Sequence, residues 1–262
     1  MRAYIEFAKK KFQNQIAYPM EVFMGILNTV LTVVIFCSIY RALYGEKSQV
    51  DGITFSMVAT NFLISLGLSE VFSFDEMFLQ NKYRDGTISN ELLKPVNFKF
   101  RMLAENIGSS GFKLLFHFMP AVLFTCCYTS ICKPKSPESL LLMAVSVMLG
   151  YLVLWLLSFI VQTWCFWIFS TWGIMVMKNV VVNILSGTML PLWFMPDSLR
   201  KIVAYTPFQA IYFVPVQIYL GQVEGIVLAK SLLSQLLWIG ILYFIGELFW
   251  QQGIKRVVVQ GG

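Results

Sequence analysis

Six apolar stretches, near residues 22–43, 54–77, 111–131, 139–168, 174–192 and 226–249, cover most of this chain. Each approaches or exceeds the roughly 20 residues a helix needs to cross a bilayer. Lipid offers no water to backbone N–H and C=O groups, so these stretches must adopt the element that satisfies them internally. The fourth is long enough to tilt or to project beyond the bilayer. The expectation is an all-α integral membrane protein with six transmembrane helices. Composition points the same way: 57% of the residues are hydrophobic and 13% charged, against about 25% charged in soluble domains.

The chain carries a net charge of +6, which could suggest nucleic acid. Its basic residues punctuate the apolar stretches instead of forming one patch, and that pattern sets topology. With the N-terminus inside, 13 Lys and Arg fall on the inner side and 7 on the outer, placing both termini in the cytoplasm. Trp164, Trp167, Trp172 and Trp250 then lie toward the inner interface and Trp193 at the outer one. Arg2, Lys9, Lys10 and Lys11 before an apolar run resemble a signal peptide. The run is span-length and lacks a small-residue cleavage site, so it reads as a retained first span. Residues 1–20 read as an interfacial helix, with Ile5, Ala8, Phe12 and Ile16 on one face and Lys9, Lys10 and Gln13 elsewhere. That helix is either a membrane anchor or a lever against a cytoplasmic partner.

The polar gap at 79–101 has its own local logic. Asp85-Gly86 is a turn signal, and Thr87 or Ser89 can cap a following helical turn. Ile88, Leu92 and Leu93 can share an apolar face, with Glu91 near the positive end of the helix dipole and Pro95 ending the segment. Such a helix suits a groove on another protein, or folds back on its own membrane domain. On the outer side, Gly187, Pro191 and Pro196 break the helix after the fifth stretch. Pro207 opens an apolar fragment, 208–220, too short to cross and interrupted by Pro215, which reads as re-entrant. The region 187–222 is therefore either an outer gate or an inert cap.

Ionisable groups near the spans are few. Glu70, Asp75 and Glu76 end the second, Glu105 and Lys113 enter the third, and Glu247 is near the end of the sixth. Glu70 and Glu247 are the ones expected to be buried, bonding helix to helix. His117, the single histidine, cannot build a multi-histidine metal site and reads as an interhelical hydrogen-bonding group. The run Gly108-Ser109-Ser110-Gly111 lets another helix approach closely, from a partner subunit or from the same chain. The five cysteines lack metal-ligand spacing, and adjacent Cys126-Cys127 reads as packing. No GxxxxGK[ST] phosphate loop is present, so any drive by ATP must come from a separate polypeptide.

Taken together, these segments resemble the permease subunits of ABC-2-type transporters, in particular a small six-span bacterial branch. The resemblance rests on the surface helix before the first span, on Asp85-Gly86-Thr87 followed by Glu91-Leu92-Leu93-Lys94-Pro95, and on Ser186-Gly187 with Pro191 and Pro196. Pro207-Phe208 and the tail Gly253-Ile254-Lys255-Arg256 ending Gln260-Gly261-Gly262 complete it. It implies a half-transporter in the bacterial plasma membrane, paired with a second permease as homodimer or heterodimer and with two ATPase subunits. The partner ATPases, not this chain, would bind ATP and Mg. By analogy Ile88, Glu91, Leu92 and Leu93 form the coupling helix, residues 5–16 the connecting helix, and 187–222 the element that closes the exit. The substrate, whether amphiphilic drug, peptide, lipid or glycan, would leave outward. A secondary transporter would need a mid-membrane charge site and repeated halves, and a polytopic lipid-modifying enzyme would need clustered His, Asp or Cys.

Overall fold

The structure, a computed structural model, describes residues 2–45, 47, 49–128 and 131–257; the tail motif Gln260-Gly261-Gly262 lies outside them. Helix α1 (Arg2–Ile16) is followed by α2 (Pro19–Tyr44), which starts on a proline whose missing N–H costs nothing there. A two-stranded antiparallel hairpin, β1 (Gln49–Val50) and β2 (Ile53–Thr54), joins α2 to α3 (Phe55–Val71). The Thr54 hydroxyl caps α3 by accepting from the Met57 N–H. Two short helices follow, α4 (Phe78–Arg84) and α5 (Ile88–Leu92), and then α6 (Phe98–Lys113), capped by the Asn97 side chain.

Helix α6 runs through a π-helical turn (Leu114–Phe118) directly into α7 (Met119–Tyr128). Helix α8 (Pro137–Thr163) begins with a reciprocal Ser136–Ser139 capping box and Pro137 in its first turn. The chain continues through α9 (Trp172–Leu185), α10 (Asp197–Ala204), α11 (Phe213–Tyr219) and α12 (Gly225–Ile254).

Four of these helical runs, Pro19–Tyr44, Phe98–Cys127, Pro137–Phe166 and Gly225–Ile254, are long and apolar enough to cross a membrane. Helices α3 and α9 are apolar but shorter. With 17 and 14 residues they extend about 26 and 21 Å, less than the ~30 Å hydrocarbon core. The apolar windows therefore misplace several boundaries. The helix at the third window begins at Phe98, so its first turn belongs to the segment read as loop. The second and fifth windows run past the ends of α3 and α9 into turns, because hydropathy alone does not see where backbone helicity stops.

The core is built around α8. Leu154, Trp155 and Phe159 pack with Phe72, Leu242 and Trp250 in one buried cluster, and α12 lies along α8. Trp250 stacks on Phe98 with ring centroids 5.4 Å apart and planes 6° off parallel. It is a core residue, contrary to its expected place in an interfacial belt. Gln235 of α12 is fully buried and donates to the carbonyls of Ser146 (3.1 Å) and Ala210 (2.7 Å), and the Ser146 hydroxyl donates back at 3.1 Å. A buried amide is stable only when so satisfied, and this one pins α12, α8 and the turn before α11 to one another.

Helix α1 lies along α6, and the small-residue run is the reason. Its Gly108 faces Ala8, Phe12 stands 4.0 Å from where a Gly111 β-carbon would be, and Gln15 donates to Ser109 at 2.8 Å. The run thus serves packing within the chain. The packed face of α1 is Tyr4, Phe7, Ala8, Lys11, Phe12 and Gln15, whereas Ile5 and Ile16, expected on the same face as Ala8 and Phe12, are exposed.

Candidate functional site

The segment between α3 and α6 folds as α4, a turn at Asp85-Gly86, and α5. Gly86 adopts φ +68°, a backbone state that suits glycine. The residues expected to form one apolar face of α5 do not share a surface. Ile88 is buried in the main core, Leu92 is half-buried against it, and Leu93 is 83% exposed. The Thr87 hydroxyl turns back to the Lys82 carbonyl at 3.4 Å, leaving α5 without a side-chain cap. A helix of one turn is too short for its side chains to follow a stripe, and the core takes the one at its start.

Glu91 is the centre of the segment. Its side chain is buried, and Lys94 donates to it at 2.7 Å, Arg101 of α6 donates to the same oxygen, and Lys82 of α4 lies 3.6 Å from the other. Arg101 also donates to Glu105 at 2.8 Å and lies over the Phe7 ring of α1 at 4.6 Å. The Asn97 N–H donates to the Tyr4 hydroxyl at 3.1 Å. Burial pushes the Glu91 carboxyl up, but the Lys94 hydrogen bond and the charges of Arg101 and Lys94 together hold it below the usual carboxylate range. One carboxylate thereby fastens α4 and α5 to α6 and, through Arg101, to α1. The exposed edge that remains is Leu93-Lys94-Pro95. Beside it lies an open basin of about 1070 Å³ between residues 83–90, 165–169 and 256–257. In the basin wall Arg84 stacks on Phe169 at 3.9 Å and Arg256 on Trp167 at 5.3 Å.

At the other end of α3, Asn61 donates to the Gly187 carbonyl at 3.2 Å. Gly187 takes φ +82° and is buried with Ser186 and Thr188, whose hydroxyls bond each other at 2.9 Å. Pro191 is buried, Pro196 is exposed at the start of α10, and Pro207 is buried before the turn leading to α11. Leu192, Met195 and Val203 form a small core of their own, and Trp193 meets the Phe213 ring edge-on at 5.4 Å. The four residues belong to one folded cap, but three of them are covered and only Pro196 faces outward.

Of the two carboxylates expected to join helices, Glu247 of α12 does so with α6, although it is only half-buried. Glu247 pairs with Lys99 and accepts from Gln251 at 2.9 Å. His117 is buried in the π-helical turn, and neither ring nitrogen has a hydrogen-bond partner; Nδ1 stands 3.9 Å from Glu70. It is held by packing: a β-carbon at Gly25 of α2 would fall 2.4 Å from its ring, and one at Gly67 of α3 would fall 2.2 Å from the neighbouring Phe118 ring. The interhelical hydrogen bond expected of His117 is absent among the described residues. Cys126 and Cys127 are exposed near the end of α7, and Cys37 and Cys165 are buried thiols.

One constellation escaped the sequence reading. Lys178, in the second turn of α9, pairs with Glu76 and donates to Ser158 of α8 at 2.8 Å, while Asn179 donates to Glu76 at 3.1 Å. The signal available in the sequence is Lys178, a single lysine inside the apolar window 174–192.

The four crossing-length helices define a polytopic helical membrane protein. The sequence profile of the ABC-2 family transporter proteins matches residues 39–261, and the chain belongs to that family. It is a transmembrane permease component of ABC transport. No curated relative matches the sequence.

Proposed function

We propose that this chain is the membrane subunit of an ATP-driven exporter, working as one half of a permease pair with separate ATPase subunits. It sits in a bacterial plasma membrane with both termini in the cytoplasm, and α3 and α9 complete six spans when their flanking turns are included. The ATPase engages the edge Leu93-Lys94-Pro95 and the adjoining basin, with Ile88 and Glu91 holding that edge to the bundle. The observation that carries this reading is the Glu91 clamp. A docking segment can transmit force only if it is fixed to the helices it must move, and one buried carboxylate ties α4 and α5 to α6.

Motion at that segment has a structural route outward. Helix α3 leads into the segment at one end and holds the Gly187 carbonyl through Asn61 near the other. Gly187, Pro191, Pro196 and Pro207 then act as parts of an outer gate that α3 displaces as the ATPases close.

The test is gentle purification from native membranes, with identification of what accompanies the chain. A stoichiometric ATPase, lost in Leu93→Asp but retained in wild type, is the expected result. Repeated recovery without a nucleotide-binding partner, combined with transport that follows an ion gradient, would overturn it.

A further inference from the structure

Between the end of α3, α8 and α9 lies a cavity of about 390 Å³, within the size range of small-molecule sites. Its polar groups are the Glu76–Lys178 pair, Asn179, Asn183, Ser69 and Ser73, and its apolar walls include Phe72 and Tyr212, whose rings lie 5.5 Å apart. Ionisable side chains withdrawn from water are costly unless paired. This pair opens on a cavity instead of being sealed by packing.

The chemistry of the cavity restricts its ligand. Glu76 and Lys178 neutralise one another, so the pair adds no net charge to the site. Lys178 has three N–H groups, of which Glu76 and Ser158 take two, and the Asn183 amide adds both a donor and an acceptor one turn beyond Asn179. Alongside, the α9 surface presents Val176, Val180 and Ile184, all exposed and apolar. A guest that satisfies both parts has a hydrogen-bonding, net-neutral head and an apolar tail.

We infer that this cavity receives the head group of an amphiphile carrying no net charge, with its tail along the Val176–Val180–Ile184 ridge. The inference rests on the transport reading for the guest being cargo, and on the cavity alone for binding. Zwitterionic phospholipid and neutral glycolipid share this head-group chemistry.

The test uses the full-length chain with its native partners in lipid nanodiscs, without ATP. Four photoreactive probes share one diazirine-bearing chain and differ in head group: phosphocholine, maltoside, phosphoglycerol and trimethylammonium. Adducts on the peptide spanning 176–184 are read by mass spectrometry. The expected result is about fivefold more adduct for phosphocholine or maltoside than for the charged probes, the weight of roughly one net hydrogen bond. Whichever neutral head dominates separates the phospholipid source from the glycolipid one. Asn183→Leu and Asn179→Leu, which leave the ion pair in place, are expected to abolish that preference. Equal labelling by all four probes overturns the inference, as does selectivity unchanged in both variants. So does an Asn183→Leu variant that changes oligomeric state but keeps its selectivity. Selective labelling without an accompanying ATPase leaves the site standing and removes the exporter; an ATPase without selective labelling does the reverse.

Discussion

Gly108 of α6 lies so close to Ala8 of α1 that a β-carbon at position 108 would stand 2.1 Å from the Ala8 carbonyl oxygen. No flexible side chain can yield there, because the obstacle is backbone. Gly108→Val is expected to lift α1 off α6, costing about 1–3 kcal/mol as overpacking does. A lower unfolding midpoint together with faster hydrogen exchange across residues 2–16 checks this. Unchanged exchange in α1 would contradict it.

The α5 residues separate docking from folding. Leu93→Asp changes an exposed side chain and should leave the unfolding midpoint within about 0.5 kcal/mol of wild type while releasing the ATPase. Ile88→Asp buries a charge in the core and should unfold or misassemble the protein. Leu92→Asp mixes both effects because Leu92 packs partly on the core. Pull-down and thermal unfolding measured on all three variants decide the point.

Glu91 makes a pH prediction whose sign is set by its depressed pKa. The unfolded carboxyl titrates near 4.3 and the folded one below that. The clamp's contribution is therefore complete above the unfolded value and is lost as pH falls through the folded one. Glu91→Gln should destabilise the protein by roughly 2 kcal/mol at pH 7, by nearly the same amount at pH 5.5, and progressively less below the ordinary carboxylate range. Unfolding midpoints of both proteins across this range supply the check.

The cap built on residues 187–213 depends on the left-handed backbone of Gly187. Gly187→Ala is expected to cost about 1–2 kcal/mol from that conformation alone, and its β-carbon would press on the Phe213 ring at 3.2 Å. The loss should appear as faster hydrogen exchange confined to residues 187–213, with α8 and α12 unaffected.

The sequence carried the long elements and little of their mutual arrangement. Helices α2, α8 and α12 are legible because a crossing run of apolar residues has only one economical backbone. The ends of α3 and α9 are not, since Phe72 and Leu190 are as apolar outside the helix as they would be within it. The face of α1 is legible only in part: Ala8 and Phe12 pack as their spacing suggests, whereas Ile5 and Ile16 are exposed and α6 covers Lys11 and Gln15 instead. Glu91 is visible in the sequence as a charge within an apolar turn, but its burial depends on Lys82, Lys94 and Arg101 arriving from different elements. Glu76 and Lys178 lie 102 residues apart, and no periodicity links such a pair.

The π-helical turn at Leu114–Phe118 accommodates one more residue than an α-helical turn would. Removing that residue would restore an unbroken α-helix but rotate everything beyond it by about 100°. The first half of this long rod is indexed to α1 through Gly108, and the turn itself to α2 and α3 through Gly25 and Gly67. The rod thus behaves as two keyed shafts joined at an offset, each cut to its own lock, and His117 and Phe118 are the splines at the joint.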